Sequence, residues 1–495
     1  MSQPTFQLPL RPALIEIKAC KDYRDERDLF IRIDEILRLS NLEQNFIELS
    51  FQQKQLELEK MTAAQIERFC LGCHMALRGN IARLIKNLPH REFCKLLADS
   101  NLLRWFVGIE RIDGVKAYAK STSDRFAHWL PEEGLQHINH RLIDLLAHAD
   151  QDEGLNLELA ASPDFENIYF DSTCLKADIH YPVDWVLLRD LTRTLMKATL
   201  IIRREGLRHR MPQEPLAFLS DMNTLVMKMT ATNRVKDGRK KRKAVLRQMK
   251  TLSKRIERHA RRHLALLEKR GHETDLSPGR IRHLKTRLEK ILAQIEPAIK
   301  QAHERIIGGR KLKNQDKILS LYDSDINILV RGKANATVEF GNKLWLGETS
   351  EGFIVDYLLE RDQTSDSKHV LPAVQRLTTE HKLPIRKVWG DRGLDSKTNA
   401  RKLEELEIYN GLCPKNVHQL QTRLEQEPQL RAGLKRRAGT EARISILSTN
   451  FMGDKPRAKG FENRQMMVGW GVLTHNLWVL ARLPRQPPDQ QSRAA

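Results

Sequence analysis

The sequence predicts an α+β multidomain protein, and three observations support that fold class. The chain has 495 residues, more than a single hydrophobic core usually contains, which indicates about two to four units. Apolar residues recur at helical spacing through 22–155 and 183–307, whereas short strand-like segments occur around 170 and beyond 320. The formal charge of +21 is concentrated in one helical region. A helical N-terminal domain followed by an α/β domain with a basic helical insertion accounts for this pattern.

Composition shifts and turn signals divide the chain into five parts. The predicted parts are a helical domain at 1–160, the first part of an α/β domain at 161–184, a basic helical insertion at 185–320, the rest of the α/β domain at 321–484 and a Pro/Gln-rich disordered tail at 485–495.

The chain carries no sign of a membrane or secretory segment. No window approaches the roughly 18 to 20 uninterrupted apolar residues that a membrane helix needs. Proline and charged residues stand at the N-terminus where a secretory signal would have its apolar region. We therefore expect a cytoplasmic protein.

One motif in the N-terminal helices matches a cofactor site. The stretch "CLGCH", from Cys70 to His74, has the spacing of c-type haem attachment. It lies within a segment whose apolar residues recur at helical spacing, and no export signal precedes it. We interpret both cysteines as core residues, and no second CxxC pair completes a zinc site.

His137 and His140 are close enough in sequence to suggest a pair of metal ligands. No third ligand is evident, so a solvated helix face is the favoured interpretation.

The insertion carries most of the charge. Between residues 234 and 270 there are sixteen Lys and Arg against three acids, a net +13 of the +21. Apolar stripes at 245–267 and 281–302, separated by the turn-forming stretch "KRGHETDLSPG", predict an antiparallel helical hairpin. A charge run usually marks a solvated face, but the scarcity of compensating acids favours a polyanion partner.

Three acids stand at positions that suggest a metal site. Asp171 in "NIYFDSTCL" and Asp391 in "KVWGDRGLDS" each end an apolar strand segment, and Glu441 lies on a predicted helix. Taken singly, Asp171 can cap the next turn, Asp391 can form an Asx turn and Glu441 can be a surface glutamate. Enzymes that transfer phosphoryl groups with two metal ions need carboxylates converging from separate elements, and Mg²⁺ prefers such ligands.

The predicted elements around these acids follow a definite order. A strand at the first acid is followed by a hairpin in "ATVEFGNKLWLGETSEGFIVDYLLE", a helix, the strand at the second acid, a helix, a short strand and the helix of the third acid. A long apolar helix, "ENRQMMVGWGVLTHNLWVLARL", closes the chain. This order resembles an RNase H-like fold with the basic hairpin inserted between its first and second strands.

From about Asp171 to the C-terminal helix, the chain resembles the DDE transposases of bacterial insertion sequences, and within these the ISNCY-like kind and its relatives. The stretches that carry the resemblance are "FDSTCLKADIHYPVD", "SLYDSDINILVRGKANATVEFGNKLWLGE", "WGDRGLDS" and "KRRAGTEARISIL" with "GFENRQMMVGWGVLTHNLWVLARL". The resemblance implies Asp171, Asp391 and Glu441 as the catalytic, metal-binding triad, with Arg437 holding DNA near the scissile phosphate.

The glutamate region departs from the pattern of related elements, Y-x2-R-x3-E-x6-K. Leu434 stands at the tyrosine position and Ser448 at the lysine position. Lys455 or Lys459 could supply the phosphate contact of the missing lysine.

The resemblance implies a transposase that uses Mg²⁺, with Mn²⁺ able to substitute, to cut the ends of a mobile element and join them to target DNA. Its partners would be the terminal inverted repeats and the target DNA, bound by a homodimer in a synaptic complex on the bacterial nucleoid. The N-terminal helices would read the ends, although no recognition helix stands out. The insertion residues expected to follow the DNA backbone are Arg239, Lys240, Lys241, Arg242, Lys243, Arg247, Lys254, Arg258, Arg261 and Arg262.

Two other functions remain open from the sequence: an RNase H-like nuclease that hydrolyses DNA without joining it, and a non-catalytic DNA-binding protein derived from a transposase. RNA binding ranks last, because residues 234–270 contain no aromatic side chain on which bases could stack.

Overall fold

The structure is a computed structural model of the chain. It describes residues 11–14, 16–18, 20–111, 114–149, 155, 157–232, 237–333, 336–453 and 458–486, without the side chains of 111 and 331–337. The described chain is mixed α/β and divides into two compact units, one made of 1–177 with 342–495 and the other of 178–341. The second unit contains the predicted insertion and extends beyond it at both ends.

The helices are α1 (Lys21–Leu39), α2 (Leu42–Gln53), α3 (Ala63–Ile85), α4 (His90–Asp99), α5 (Asn101–Val107), α6 (Lys120–Ala127), α7 (Glu132–Ala147), α8 (Asp184–Arg204), α9 (Pro215–Ala231), α10 (Gly238–Arg270), α11 (Pro278–Ala302), α12 (Val370–Gln375), α13 (Lys397–Glu405), α14 (Val417–Gln426), α15 (Pro428–Ile446) and α16 (Phe461–Arg482). The strands are β1 (Glu110–Arg111), β2 (Gly114–Val115), β3 (Asn167–Lys176), β4 (Asn327–Lys333), β5 (Ala336–Glu348), β6 (Ile354–Leu359), β7 (Lys387–Gly390) and β8 (Tyr409–Leu412).

The sheet of the first unit is mixed. Strands β5, β3, β7 and β8 lie side by side in that order, and β6 pairs with the second half of β5. β3 and β7 are parallel, as are β7 and β8, whereas β5 and β6 form an antiparallel hairpin. The predicted hairpin, both later strands and their helices therefore form as expected.

The N-terminal helices share one hydrophobic core with this sheet. Buried side chains of α1 to α7 belong to the same cluster as Phe170 of β3, Val388 of β7 and Leu473 of α16. Because apolar area drives this packing, α1 to α7 and the sheet are expected to be stabilised together. The region 1–160 therefore lacks a hydrophobic core of its own.

A buried ion network links three of these helices. The fully buried Arg78 of α3 donates to Asp34 of α1 at 2.5 Å and to Glu43 of α2 at 2.7 Å. Burial opposes ionisation of Asp34, but the guanidinium groups of Arg78 and Arg11 outweigh it and hold the pKa of this carboxyl below its usual range. An arginine with two carboxylate partners can remain charged inside a core.

The haem-like motif belongs to the core, as interpreted from sequence. Cys70, Cys73 and His74 are at most 1% exposed, and Nδ1 of His74 lies 2.9 Å from Glu43. The interpretation of the histidine pair was wrong for one member. His137 is exposed, but His140 stacks edge-on against His381 at 4.3 Å, and burial together with His381 lowers its pKa to about 4.

The second unit is a bundle of four helices. α8, α9, α10 and α11 pack around an apolar core that includes Leu195, Met222, Met249 and Leu288. The predicted hairpin of α10 and α11 is present, but its apolar stripes also pack on α8, so it is half of a larger bundle. β4 pairs with the first half of β5 in this unit.

None of the helices in the described part of the chain combines the length and hydropathy that a membrane span requires. The first residues of the predicted tail are held in place: Gln486 donates its backbone N–H to the carbonyl oxygen of Glu158 at 2.9 Å, and Arg485 contacts Glu35. The remainder of that tail lies outside the described residues.

Candidate active site

Two of the three predicted acids lie opposite each other on neighbouring strands. The parallel register pairs Asn167 with Lys387 and Tyr169 with Trp389. Continuing it by two residues brings Asp171 opposite Asp391. Neighbouring strands are about 4.8 Å apart, and residues in register on parallel strands face the same side of the sheet. The sheet therefore brings both carboxylates to one face.

Asp171 does not end its strand, contrary to the prediction. β3 continues to Lys176, whereas β7 stops at Gly390, immediately before Asp391. The chain turns away there because Oδ1 of Asp391 accepts the backbone N–H of Gly393 at 2.8 Å, the Asx turn considered from sequence. The departure of β7 leaves the edge of β3 beside Asp171 without a neighbouring strand on that side.

Helix α15 covers this face of the sheet. The rings of Tyr169 and Trp389 stack at 6.0 Å and form an apolar cluster with Leu430 of α15. Gly433 lies so close to the sheet that an added Cβ atom would be 2.0 Å from the Trp389 ring. The absence of a side chain at this position sets the distance between helix and sheet.

Replacing Gly433 by alanine is therefore expected to destabilise the protein by about 1–3 kcal/mol, because overpacking forces the helix away from Trp389. Alanine at the exposed Gly439 of the same helix would meet only Arg436, at 3.7 Å, and should stabilise by about 0.5–1 kcal/mol. Urea unfolding of both variants tests this, and equal effects would contradict the close packing at Gly433.

The same helix brings an arginine and the third acid to the two aspartates. Nη2 of Arg437 lies 3.6 Å from Oδ2 of Asp171 and 3.9 Å from Oε1 of Glu441. Arg437 and Glu441 are four residues apart, hence on one helix face. The guanidinium group therefore lies between two of the three predicted acids, while its buried Nε has no hydrogen-bond partner in the described residues.

The electrostatics of Asp171 reflect this convergence. Burial raises its pKa to about 6; the N–H of Ser172 and Arg437 oppose the shift, whereas Asp391 and Glu441 add to it. The side chain of Asp171 is 13% exposed, but that of Glu441 is 73% exposed. A partly desolvated cluster of negative charge at Asp171 is a suitable environment for a cation.

The donor set was tested for its fit to a divalent cation. Among the described residues, no group of three His, Cys, Asp or Glu side chains is arranged to hold a metal ion. Asp171 and Asp391 nevertheless offer two hard oxygen ligands on one sheet face, which matches how Mg²⁺ binds through one or two carboxylates and keeps its waters. The pair fits Mg²⁺, whereas the exposed Glu441 must reorient to join it.

A fourth acid, Glu348, was missed in the sequence. It ends β5, is only 4% exposed and accepts a hydrogen bond from Oγ1 of Thr440 on α15 at 2.8 Å. Burial raises its pKa to about 7, opposed by Arg443 and Thr440 and reinforced by the charge of Asp171. Its position before the predicted turn was visible in sequence, but its neighbours were not.

The predicted phosphate contacts around Glu441 are only partly described. Leu434, at the tyrosine position of the family pattern, packs against the Tyr169 cluster. Lys459 is exposed, and Lys455 lies outside the described residues.

In the second unit, eight of the ten basic residues named from sequence are exposed and two are half-buried, Arg242 and Lys243. Spacings of seven, four and three residues align Arg247, Lys254, Arg258 and Arg261 along one stripe of α10, about 21 Å long at 1.5 Å per residue. The buried residues Met249 and Ile256 occupy the opposite side of the helix. We call the four aligned residues the basic stripe.

Comparisons of the chain with protein-family models, with curated proteins and with solved structures gave no match.

Proposed function

We propose that the chain is a DDE-type DNA transposase with an RNase H-like catalytic domain, which cleaves the ends of a mobile element and transfers them to target DNA. The observation that carries the proposal is the register of Asp171 with Asp391, with α15 bringing Arg437 and Glu441 to the same face. Carboxylates that converge from two strands and one helix are the arrangement that two-metal phosphoryl transfer requires.

The order of elements supports the proposed fold. The strand with the first acid precedes the β5–β6 hairpin, and helices α12, α13 and α15 alternate with β7 and β8 thereafter. The helical bundle is inserted in sequence between β3 and the hairpin. Several folds share such an alternation, so the acids rather than the topology carry the functional proposal.

Asp171 and Asp391 would hold the divalent cation, and Glu441 would complete the set after reorienting. Bound Mg²⁺, or Mn²⁺ in its stead, would supply Lewis-acid stabilisation of the attacking and leaving oxygens of an in-line displacement. Arg437 has a distinct role in this proposal: its guanidinium neutralises the acids in the metal-free protein and can donate to a phosphate oxygen when DNA is bound. The attacking group is water in end cleavage and the freed 3′-hydroxyl in strand transfer.

DNA binding in the proposal belongs to the second unit's basic stripe, while the N-terminal helices read the element ends. A stripe about 21 Å long, with cations every three to seven residues, suits contact with successive phosphates and carries little sequence information. Two ends must be held together for transfer, which implies a homodimer in the synaptic complex.

Neutralising Arg258 and Arg262 together as glutamines is expected to reduce the slope of log K against log salt by about 1.8, since each phosphate contact releases counterions. Fluorescence anisotropy with duplex DNA over a salt series measures this slope. A matched control replaces Glu257 and Arg261, an ion pair at 2.8 Å, by glutamines and leaves the net charge unchanged. An unchanged slope in the first variant would mean that this stripe does not contact the backbone.

The deciding experiment is strand transfer in vitro. Purified protein, Mg²⁺ or Mn²⁺, labelled DNA carrying the native flanks of the gene and a target plasmid are combined. Joined products support the transposase. Nicked but unjoined ends favour the nuclease, and binding without any cleavage favours the non-catalytic DNA-binding protein.

A further inference from the structure

Glu348 lies on the same side of the sheet as the candidate active site. Its neighbour Gly347 faces the Phe170 ring, which an added Cβ atom would approach to 2.8 Å. Successive strand residues face opposite sides, so Glu348 faces away from Phe170 and toward the side of Tyr169 and Asp171. Its contacts with α15 agree with this orientation.

Three side chains of α15 converge on the Glu348 carboxylate. Thr440 donates at 2.8 Å, Nη1 of Arg443 lies at 3.3 Å, and Nη1 of Arg436 lies at 3.6 Å, all to Oε1. These residues follow each other at steps of four and three, so they form one face of the helix. One buried carboxylate therefore contacts about two turns of α15.

The turn after Glu348 adds to the same attachment. Arg436 donates to the backbone carbonyl oxygens of Thr349, at 3.0 Å, and of Ser350, and its guanidinium lies 4.6 Å above the Tyr169 ring. Gly352, with φ of +90°, leaves room for the Arg443 side chain, which an added Cβ atom would approach to 2.5 Å. Helix rotation relative to the β5–β6 turn would break several of these contacts together.

This attachment determines where the two active-site residues of α15 point. Arg437 and Glu441 each follow one of the attached residues, Arg436 and Thr440, by one position. One residue corresponds to about 100° of helix rotation. Fixing the attached face therefore fixes the direction in which the Arg437 and Glu441 side chains extend toward Asp171.

We propose that Glu348 is a positioning residue, which holds the rotation of α15 so that Arg437 and Glu441 meet Asp171. Its charge is already matched by Arg436 and Arg443, so it holds the helix instead of binding the cation. The consequence for catalysis rests on the proposed transposase function, whereas the attachment of α15 does not.

The test compares Glu348→Gln with the wild-type chain by hydrogen exchange and by strand transfer. Glutamine keeps the size and one acceptor but removes the charge, so the α15 amides are expected to exchange at least about tenfold faster, while α16 amides are unchanged. At saturating DNA the joining rate should fall about tenfold, with the DNA Kd within about twofold of wild type.

Two further variants make the test specific. Thr440→Val removes one contact from the helix side and should raise α15 exchange without altering the buried acid. Glu351→Gln, in the same turn but bonded to Thr349, is the matched control and should leave α15 unchanged.

Unchanged α15 exchange in Glu348→Gln would overturn the proposal. So would weaker Mn²⁺ binding with normal α15 protection, since Glu348 would then act as a metal ligand. If the wild-type chain joins no DNA, the transposase proposal fails, but the exchange measurements still decide whether Glu348 holds α15.

Discussion

Replacing Asp391 by asparagine is expected to lower both end cleavage and strand transfer by at least about 10³-fold, with DNA affinity changed by less than about twofold. Asparagine keeps the Asx turn to Gly393, because its side-chain oxygen can still accept that N–H. It removes one of the two carboxylates opposed across β3 and β7, and several kcal/mol of transition-state charge stabilisation depend on them. Single-turnover assays with labelled ends and anisotropy with the same DNA measure the two quantities.

Asp395→Asn is the matched control for this variant. Asp395 lies in the same loop, but its Oδ2 accepts the backbone N–H of Lys415 at 3.0 Å. This substitution should leave both reactions near the wild-type rate. Asp171→Ala and Glu441→Gln should resemble Asp391→Asn, while a fully active Asp391→Asn would remove the basis of the proposed function.

Replacing Arg78 by methionine is expected to destabilise the first unit by about 3–5 kcal/mol, because Asp34 and Glu43 would remain buried without their cation. Since the N-terminal helices share a core with the sheet, the loss should also lower the temperature at which activity disappears. Urea unfolding at pH 7 measures the free energy. Arg68→Met, at an exposed position of the same helix, is the control and should change stability by less than about 0.5 kcal/mol.

The pH dependence of this difference has a definite sign. Arg78 helps to hold the pKa values of Asp34 and Glu43 below their unfolded values. The stability that these pairs contribute is therefore present above about pH 4 and declines as pH falls through that unfolded range. In the methionine variant the acids can protonate, so the gap from wild type should narrow in acid. A gap that widens below about pH 4 would contradict the pairing.

Local sequence patterns predicted much of what was found. Helical periodicity identified the stripes of α10 and α11, and the buried positions of Cys70 and Cys73 followed from it. Alternation and a turn signal identified the β5–β6 hairpin. These features depend on residues within one or two turns of each other, and the chemistry of such neighbours is readable from the chain.

Other features depended on contacts between distant segments. The exposure of His140 was mispredicted because its partner, His381, is distant in sequence. The end of β3 was placed at Asp171 because an acid in an apolar run resembles a strand terminus, but β3 continues to Lys176. Glu348 resembled any glutamate before a turn until α15 was seen to cover it.

By itself, the sequence determined the element types, the helical arms and their charge, and the three acids with the arginine that precedes the third. Periodicity and side-chain chemistry are local properties, so they can be read without coordinates. Only the tertiary structure decided that Asp171 faces Asp391, that Gly433 lets α15 approach Trp389, and that Glu348 contacts three residues of that helix. Strand register and helix rotation are set by packing between segments far apart in the chain, and a change of one residue in either would direct different side chains to the site.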